Sequence, residues 1–143
     1  MDIARLIANR PAGEVVTCDA AQSMRDALGI LASRRIGALP VMRGNEVVGI
    51  FSERDVIYCL EREGEGSLEK PVGEVMTAPP ITVSPSTRID EALEMMTRRR
   101  IRHLPVVENG AMRGFVSIGD LVKAQIDEIA HEAEAMRSYI QSA

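Results

Sequence analysis

Two serine–aspartate pairs of identical spacing, Ser52-x-x-Asp55 and Ser117-x-x-Asp120, carry the side chains best suited to binding chemistry. An ionised carboxylate only accepts hydrogen bonds, and its two oxygens can engage two neighbouring hydroxyls at once. The same spacing makes a capping box, in which the serine closes the first turn of a helix and the acid sits near its positive end. Spacing alone leaves both readings open. A second constellation is basic: Arg34-Arg35, Arg98-Arg99-Arg100, Arg102 and His103. The planar fork of a guanidinium suits phosphate, but cations at a helix C-terminus also complement the helix dipole. Arg34, Arg98 and Arg99 are assigned to the dipole. Arg54, in the first turn after Ser52, is a candidate anion contact at a helix N-terminus.

Catalytic machinery is not visible. The chain has two His, and no Walker A loop, nucleophile elbow, metal cluster or Cys-His pairing stands out. The expectation is a protein that is not an enzyme, with no catalytic residues and no metal site. A nucleic-acid binder fits poorly, since net charge is −4 and the only aromatics are two Tyr and two Phe.

The elements that must position these residues repeat. Residues 15–57 and 80–122 align without a gap, and twelve aligned pairs are identical, among them Thr17/Thr82, Arg34/Arg99, Pro40/Pro105, Gly49/Gly114, Ser52/Ser117 and Asp55/Asp120. Two copies are too few for a solenoid, so two half-domains covering each other's apolar faces are expected, with clefts between them. Val15-Val16-Thr17 and Ile81-Thr82-Val83 read as short strands. Met24, Ala27, Leu28 and Leu31, matched by Ile89, Ala92, Leu93 and Met96, fall on one helical face. Thr87 with Asp90 reads as the cap of the second of these helices; Gln22 stands at that position in the first, which is expected to be capped less well. Leu39-Pro40-Val41 and Leu104-Pro105-Val106 open hairpins that turn at Arg43-Gly44-Asn45 and Asn109-Gly110. The return strands run into helices opened by Ser52 and Ser117.

The expected fold is α+β: two pseudo-twofold-related β-α-β-β-α repeats and a C-terminal helix. Its divisions are a short N-terminal helix and lead-in at 1–14, ended near Pro11 and Gly13, repeat 1 at 15–62, a solvated linker and lead-in at 63–79, repeat 2 at 80–122 and a tail at 123–143. With 45% apolar and 27% charged residues, 143 residues suffice for a real core. Cys18 and Cys59 are expected to be reduced and buried. The N-terminus does not resemble a signal peptide and no apolar run could span a bilayer, so a cytoplasmic protein without membrane contact is expected.

The runs G-A-L-P-V at 37–41 with G-I-F-S-E-R-D at 49–55, and R-H-L-P-V at 102–106 with G-F-V-S-I-G-D at 114–120, resemble the signature of the CBS (cystathionine-beta-synthase) domain. The tandem resembles a Bateman module, and the S-I-G-D-L-V-K run leading into an acidic helix resembles small stand-alone bacterial CBS pairs. The resemblance implies adenine nucleotide in the clefts. Ser52, Asp55, Ser117 and Asp120 would take the ribose while also capping their helices. Ile36, Gly37, Ala38, Pro40, Ile101, His103 and Pro105 would wall the adenine. Thr17 and Thr82 are candidate polar contacts, or ordinary strand threonines. Arg54, Arg102 and His103 would meet the phosphates. AMP, ADP, ATP, NAD(H) and S-adenosylmethionine share the adenosine moiety, so the resemblance does not choose among them. Gly37-Ala38 stands where the second copy has Arg102-His103, and Gly119 where the first has Arg54, so the clefts are expected to differ.

A homodimer acting on an unidentified regulated protein is the expected assembly; a ligand-independent scaffold is the alternative. Val122, Ile126, Ile129, Ala133, Met136 and Ile140 make a coiled-coil-like seam in the tail. It either packs on its own module or contacts a second copy.

Overall fold

The computed structural model describes residues 1–8, 10 and 15–142. The first half contains α1 (Ile3–Ile7), β1 (Cys18–Asp19), α2 (Met24–Arg34), β2 (Ala38–Arg43), β3 (Glu46–Ser52) and α3 (Glu53–Glu63). A short 3-10 helix at Glu65–Glu69 follows, then α4 (Val72–Val75), α5 (Ile89–Arg99), β4 (His103–Glu108), β5 (Ala111–Ser117) and α6 (Ile118–Ser142). The expected α+β architecture is present. The stop expected for α1 near Pro11 and Gly13 lies outside the described residues.

The two hairpins are superimposable in register. Ala38 pairs with Ser52 and His103 with Ser117, and each ladder slips at the equivalent point, Val41/Met42 or Val106/Val107. The second turn is made by Asn109 and Gly110, with φ of 52° and 79°, the left-handed conformation that this dipeptide tolerates. Side chains alternate across each strand, so Leu39, Val41 and Phe51 enter one core with Met24, Ala27 and Leu31 of α2. Leu104, Val106 and Val116 enter a second core with Ile89, Ala92 and Met96 of α5 and Leu121 of α6. Cys18 and Cys59 are free and buried in the first core. Burial, with Asp19 nearby, pushes the Cys18 thiol up to about 11, so it stays protonated.

Three local expectations are corrected. The first strands are shorter than the β-branched runs: Val15–Thr17 is not strand, β1 holds only Cys18 and Asp19, parallel to Val41 and Met42, and in the second half only the bridge Val83–Val106 remains. The chemistry of Pro85 accounts for the difference. Ala20 N–H donates to Met42 O at 2.9 Å, and Pro85, its counterpart, has no N–H to give. The caps are also reversed. Ser23 caps α2, accepting from Asp26 N–H, whereas Arg88 stands at the N-cap of α5 with no side-chain bond. Both helices start one position later than the Gln22 and Thr87 assignments required. Thr87 Oγ1 instead accepts from Ser84 N–H, and Gln22 Oε1 from Asp19 N–H.

The third correction concerns the lead-ins. The 63–79 segment is not merely a solvated linker: Ser67 and Val72 are buried, and Val72 belongs to the first core. Ile3 of α1, in turn, is buried in the second core. The same three hydrogen bonds make both attachments. Met24 N–H donates to Lys70 O, Val72 N–H to Gln22 O and Gly73 N–H to Ala20 O; Ile89 N–H donates to Met1 O, Ile3 N–H to Thr87 O and Ala4 N–H to Pro85 O. Each lead-in helix therefore docks on the unit that does not follow it.

Candidate ligand-binding cleft

A cleft of ≈ 840 Å³ opens where α3 begins, between the first unit and the 99–103 segment of the second. The size suits a small organic ligand. Ser52 closes the first turn of α3 in a full capping box: Ser52 N–H donates to Asp55 Oδ2 at 2.8 Å, and Asp55 N–H donates to Ser52 Oγ at 3.4 Å. One carboxylate oxygen is thereby committed. The other, Oδ1, accepts from the Thr77 hydroxyl at 2.9 Å at the cleft wall. The capping role is thus fulfilled by Oδ2, and Oδ1 keeps one acceptor lone pair beyond its bond to Thr77.

Among the described residues, Arg54, Arg99, Arg100 and Arg102 line the same cleft against two acids, Glu53 and Asp55. A local surplus of positive charge in a chain of net charge −4 favours an anion. Ile57, Ile81, Ile101, Pro79 and Pro80 add apolar wall. Arg100, the C-cap of α5, has φ 56°, as its counterpart Arg35 has φ 53°. Left-handed backbone at a non-glycine residue costs about 1–2 kcal/mol; at Arg100 it turns the chain straight from helix into cleft wall.

His103 sits at the seam between the units. Its ring stacks on Phe115 with centroids 5.4 Å apart and planes 13° from parallel. A Cβ placed on Gly37 would lie 3.0 Å from Glu53 Oε1 of its own unit and 4.0 Å, an ordinary contact, from His103 Cε1 of the other. Burial pulls the His103 pKa below its ordinary value and Arg102 adds to this, against the opposing pull of Asp120 and Glu53. The ring is neutral at neutral pH, a hydrogen-bonding group and not a fixed cation.

Of the residues singled out in the sequence, Gly37, Ala38, Ser52, Arg54, Asp55, Ile101, Arg102 and His103 meet in this cleft. Pro40 and Pro105 do not; they are buried in mid-strand opposite Ile50 and Phe115. Ile36 packs on the first core. Thr17, half-buried, and Thr82, exposed, do not line the cleft.

Ser117 and Asp120 form their own capping box at the start of α6. Ser117 N–H donates to Asp120 Oδ2 at 2.8 Å and Asp120 N–H to Ser117 Oγ at 3.1 Å. Here Asp120 Oδ1 meets a cation, Arg10 Nη2, at 3.0 Å. Burial acts to raise the Asp120 pKa, but the Ser117 N–H bond and the Arg10 charge outweigh it and hold the carboxyl below its ordinary value.

The profile of the CBS domain matches residues 4–62 and 72–127. The chain belongs to the CBS-domain family. It is 36% identical over 134 residues to the mitochondrial CBS domain-containing protein CBSX3 of Arabidopsis thaliana, an alignment covering 90% of this chain and 65% of that protein. A crystal structure of a CBS-domain containing protein from Agrobacterium tumefaciens is 36% identical, with a TM-score of 0.80 over 87% of this chain and 99% of that one. CBSX2, crystallised in complex with AMP, is 26% identical, with a TM-score of 0.76 over 88% of this chain and 96% of that one.

Several functional candidates of this CBS pair escaped the sequence. Thr77 lies outside the aligned repeats and reaches Asp55 only because α4 docks on the first unit. Arg99, expected to serve the α5 dipole, lines the cleft. Arg10 gave no signal at all, since nothing in its neighbourhood pairs it with a residue as remote as Asp120. The tail seam is settled in one respect. Val122, Ile126, Ile129, Met136 and Ile140 are 42–65% exposed, so it does not pack on its own module. Among the described residues, no helix is long and apolar enough to cross a membrane.

Proposed function

We propose that this chain is a regulatory module that binds an adenine nucleotide in the cleft at Asp55. The observation that carries this reading is one ≈ 840 Å³ cleft that holds four arginines and a carboxylate oxygen, Asp55 Oδ1, bound only by a hydroxyl with which incoming hydroxyls can share it. That arrangement suits a ligand with neighbouring hydroxyls at one end and phosphate at the other. Asp55, with Ser52 and Thr77 beside it, would take the ribose. Gly37, Ala38 and Ile101 would flank the base. Arg54, Arg102 and the neutral His103 would meet phosphate, joined by Arg99 and Arg100. The AMP held by CBSX2 supports the same ligand class. S-adenosylmethionine, whose sulfonium is cationic, fits this charge pattern less well than AMP, ADP, ATP or NAD(H).

The test is calorimetry of the chain with AMP, ADP, ATP, NADH and S-adenosylmethionine. At least one nucleotide should give a saturable isotherm, with S-adenosylmethionine the weakest. No binding of any of them at millimolar concentration would sink the reading.

The exposed apolar side chains Ile57, Tyr58, Leu60, Ile126, Ile129 and Ile140 support a homodimer through α3 and α6, because soluble monomers rarely keep such a surface uncovered. Light scattering should then give about twice the 15.6 kDa chain mass. Through that dimer the module would act on a separate regulated protein in the cytoplasm.

A further inference from the structure

The two aspartates differ in what holds their free oxygen. Asp55 Oδ2 and Asp120 Oδ2 are both committed to the N–H of their capping serine at 2.8 Å. In the first unit, Thr77 donates twice: its hydroxyl to Asp55 Oδ1 at 2.9 Å and its N–H to Ile50 O at 2.9 Å. In the second unit, Arg10 reaches the equivalent acceptors with one side chain, Nη2 to Asp120 Oδ1 at 3.0 Å and Nη1 to Phe115 O at 3.2 Å. A guanidinium thus stands where a threonine stands in the other copy.

The chemistry of the two occupants is not the same. A hydroxyl is neutral, both donates and accepts, and can rotate to share a carboxylate with incoming hydroxyls. A guanidinium only donates and cannot be deprotonated, so it neutralises the carboxylate it holds. A ribose approaching Asp120 would have to displace a guanidinium, exchanging an ion pair for hydroxyl–carboxylate bonds and leaving the Arg10 charge without its partner. The phosphate side is depleted as well: Gly119 and Gly37 stand where the first cleft has Arg54 and Arg102.

We propose that Arg10 is an internal occupant of the second repeat's ribose-reading carboxylate, so that the chain takes one nucleotide, at Asp55, and keeps the Asp120 position closed. The inference rests on the nucleotide reading of the Asp55 cleft. It makes the short N-terminal lead-in the element that closes a carboxylate which the repeat itself leaves available.

Calorimetry of the full chain with AMP decides it. The wild type should bind one AMP per chain. Arg10→Thr, which copies Thr77, and Arg10→Ala should each gain a second saturable phase, with melting curves confirming that both remain folded. Asp55→Ala alone should weaken the AMP isotherm roughly tenfold to a hundredfold, and the Asp55→Ala/Arg10→Thr double variant should regain one tighter phase. Two sites in the wild type, or no gained phase in either Arg10 variant, would overturn this proposal and leave the nucleotide reading intact. No AMP binding by the wild type or by either Arg10 variant would overturn this proposal, and the nucleotide reading falls with it only if ADP, ATP, NADH and S-adenosylmethionine fail as well.

Discussion

Asp55 and Asp120 occupy equivalent places in two hairpin–helix units of equivalent register, each with one oxygen bound by its capping serine. Their second oxygens meet Thr77 in one unit and Arg10 in the other. Neither partner belongs to the duplicated stretch. The repeats thus supply two copies of one frame, and the lead-in that precedes each repeat decides what the other copy can do. Internal symmetry in a sequence says where sites can be; the asymmetric lead-ins say which are open.

The sharpest way to break this comparison is to remove each carboxylate in turn. Asp55→Ala should weaken AMP binding by about 1.5–3 kcal/mol, the range for hydrogen bonds to a charged group, or roughly tenfold to a hundredfold. Asp120→Ala should leave AMP affinity within about twofold while losing about 1 kcal/mol of stability with its cap. Equal losses of affinity in the two variants would mean that both positions take ligand.

The lead-ins can be compared through the glycines they cover. A Cβ on Gly49 would meet Met76 Sδ and the Thr77 carbonyl oxygen, the latter at 2.9 Å, whereas one on Gly114 would meet Ile7 Cγ2 at 3.3 Å. Gly49→Ala should cost about 1–3 kcal/mol, as overpacking against backbone does, and should displace Thr77 from Asp55. Gly114→Ala meets only a side chain that can give, and the smaller entropy of its unfolded chain offsets about 0.4–1 kcal/mol. Chemical denaturation of the pair should show Gly49→Ala as the less stable by at least about 1 kcal/mol.

The smallest contrast lies in the caps. Ser23→Ala should cost about 1 kcal/mol, and Arg88→Ser should gain up to about 1 kcal/mol by giving α5 the cap that α2 already has. Arg88 sits at φ −74°, ψ 150°, close to the −70°, 154° of Ser23, so a serine there needs no backbone movement. Thermal melts of the two single variants should therefore shift in opposite directions.

Much of this was legible in the residue pattern because it is local. Apolar residues at helical spacing marked α2 and α5, Asn109-Gly110 marked a hairpin, and the doubled Ser-x-x-Asp marked the starts of α3 and α6. What escaped was held by contacts remote in sequence. α4 is four residues long, too short to show a period, and its place is set by Val72 entering a core built mostly from residues 18–59. The adenine-wall role given to Pro40 and Pro105 treated a strand's hydrophobic centre as a surface. The cap reversal turned on a one-residue error in a helix start, which composition around Thr87 and Gln22 could not resolve.

The reciprocal docking of α1 and α4 also has a mechanical side. α1 is anchored in the second core through Ile3, and α6 in the same core through Leu121 and Ala124. Traction applied at either helix is carried first by the second unit, with the first unit following through α4 and the walls of the Asp55 cleft. A molecule seated there would touch both units at once and act as a strut between them.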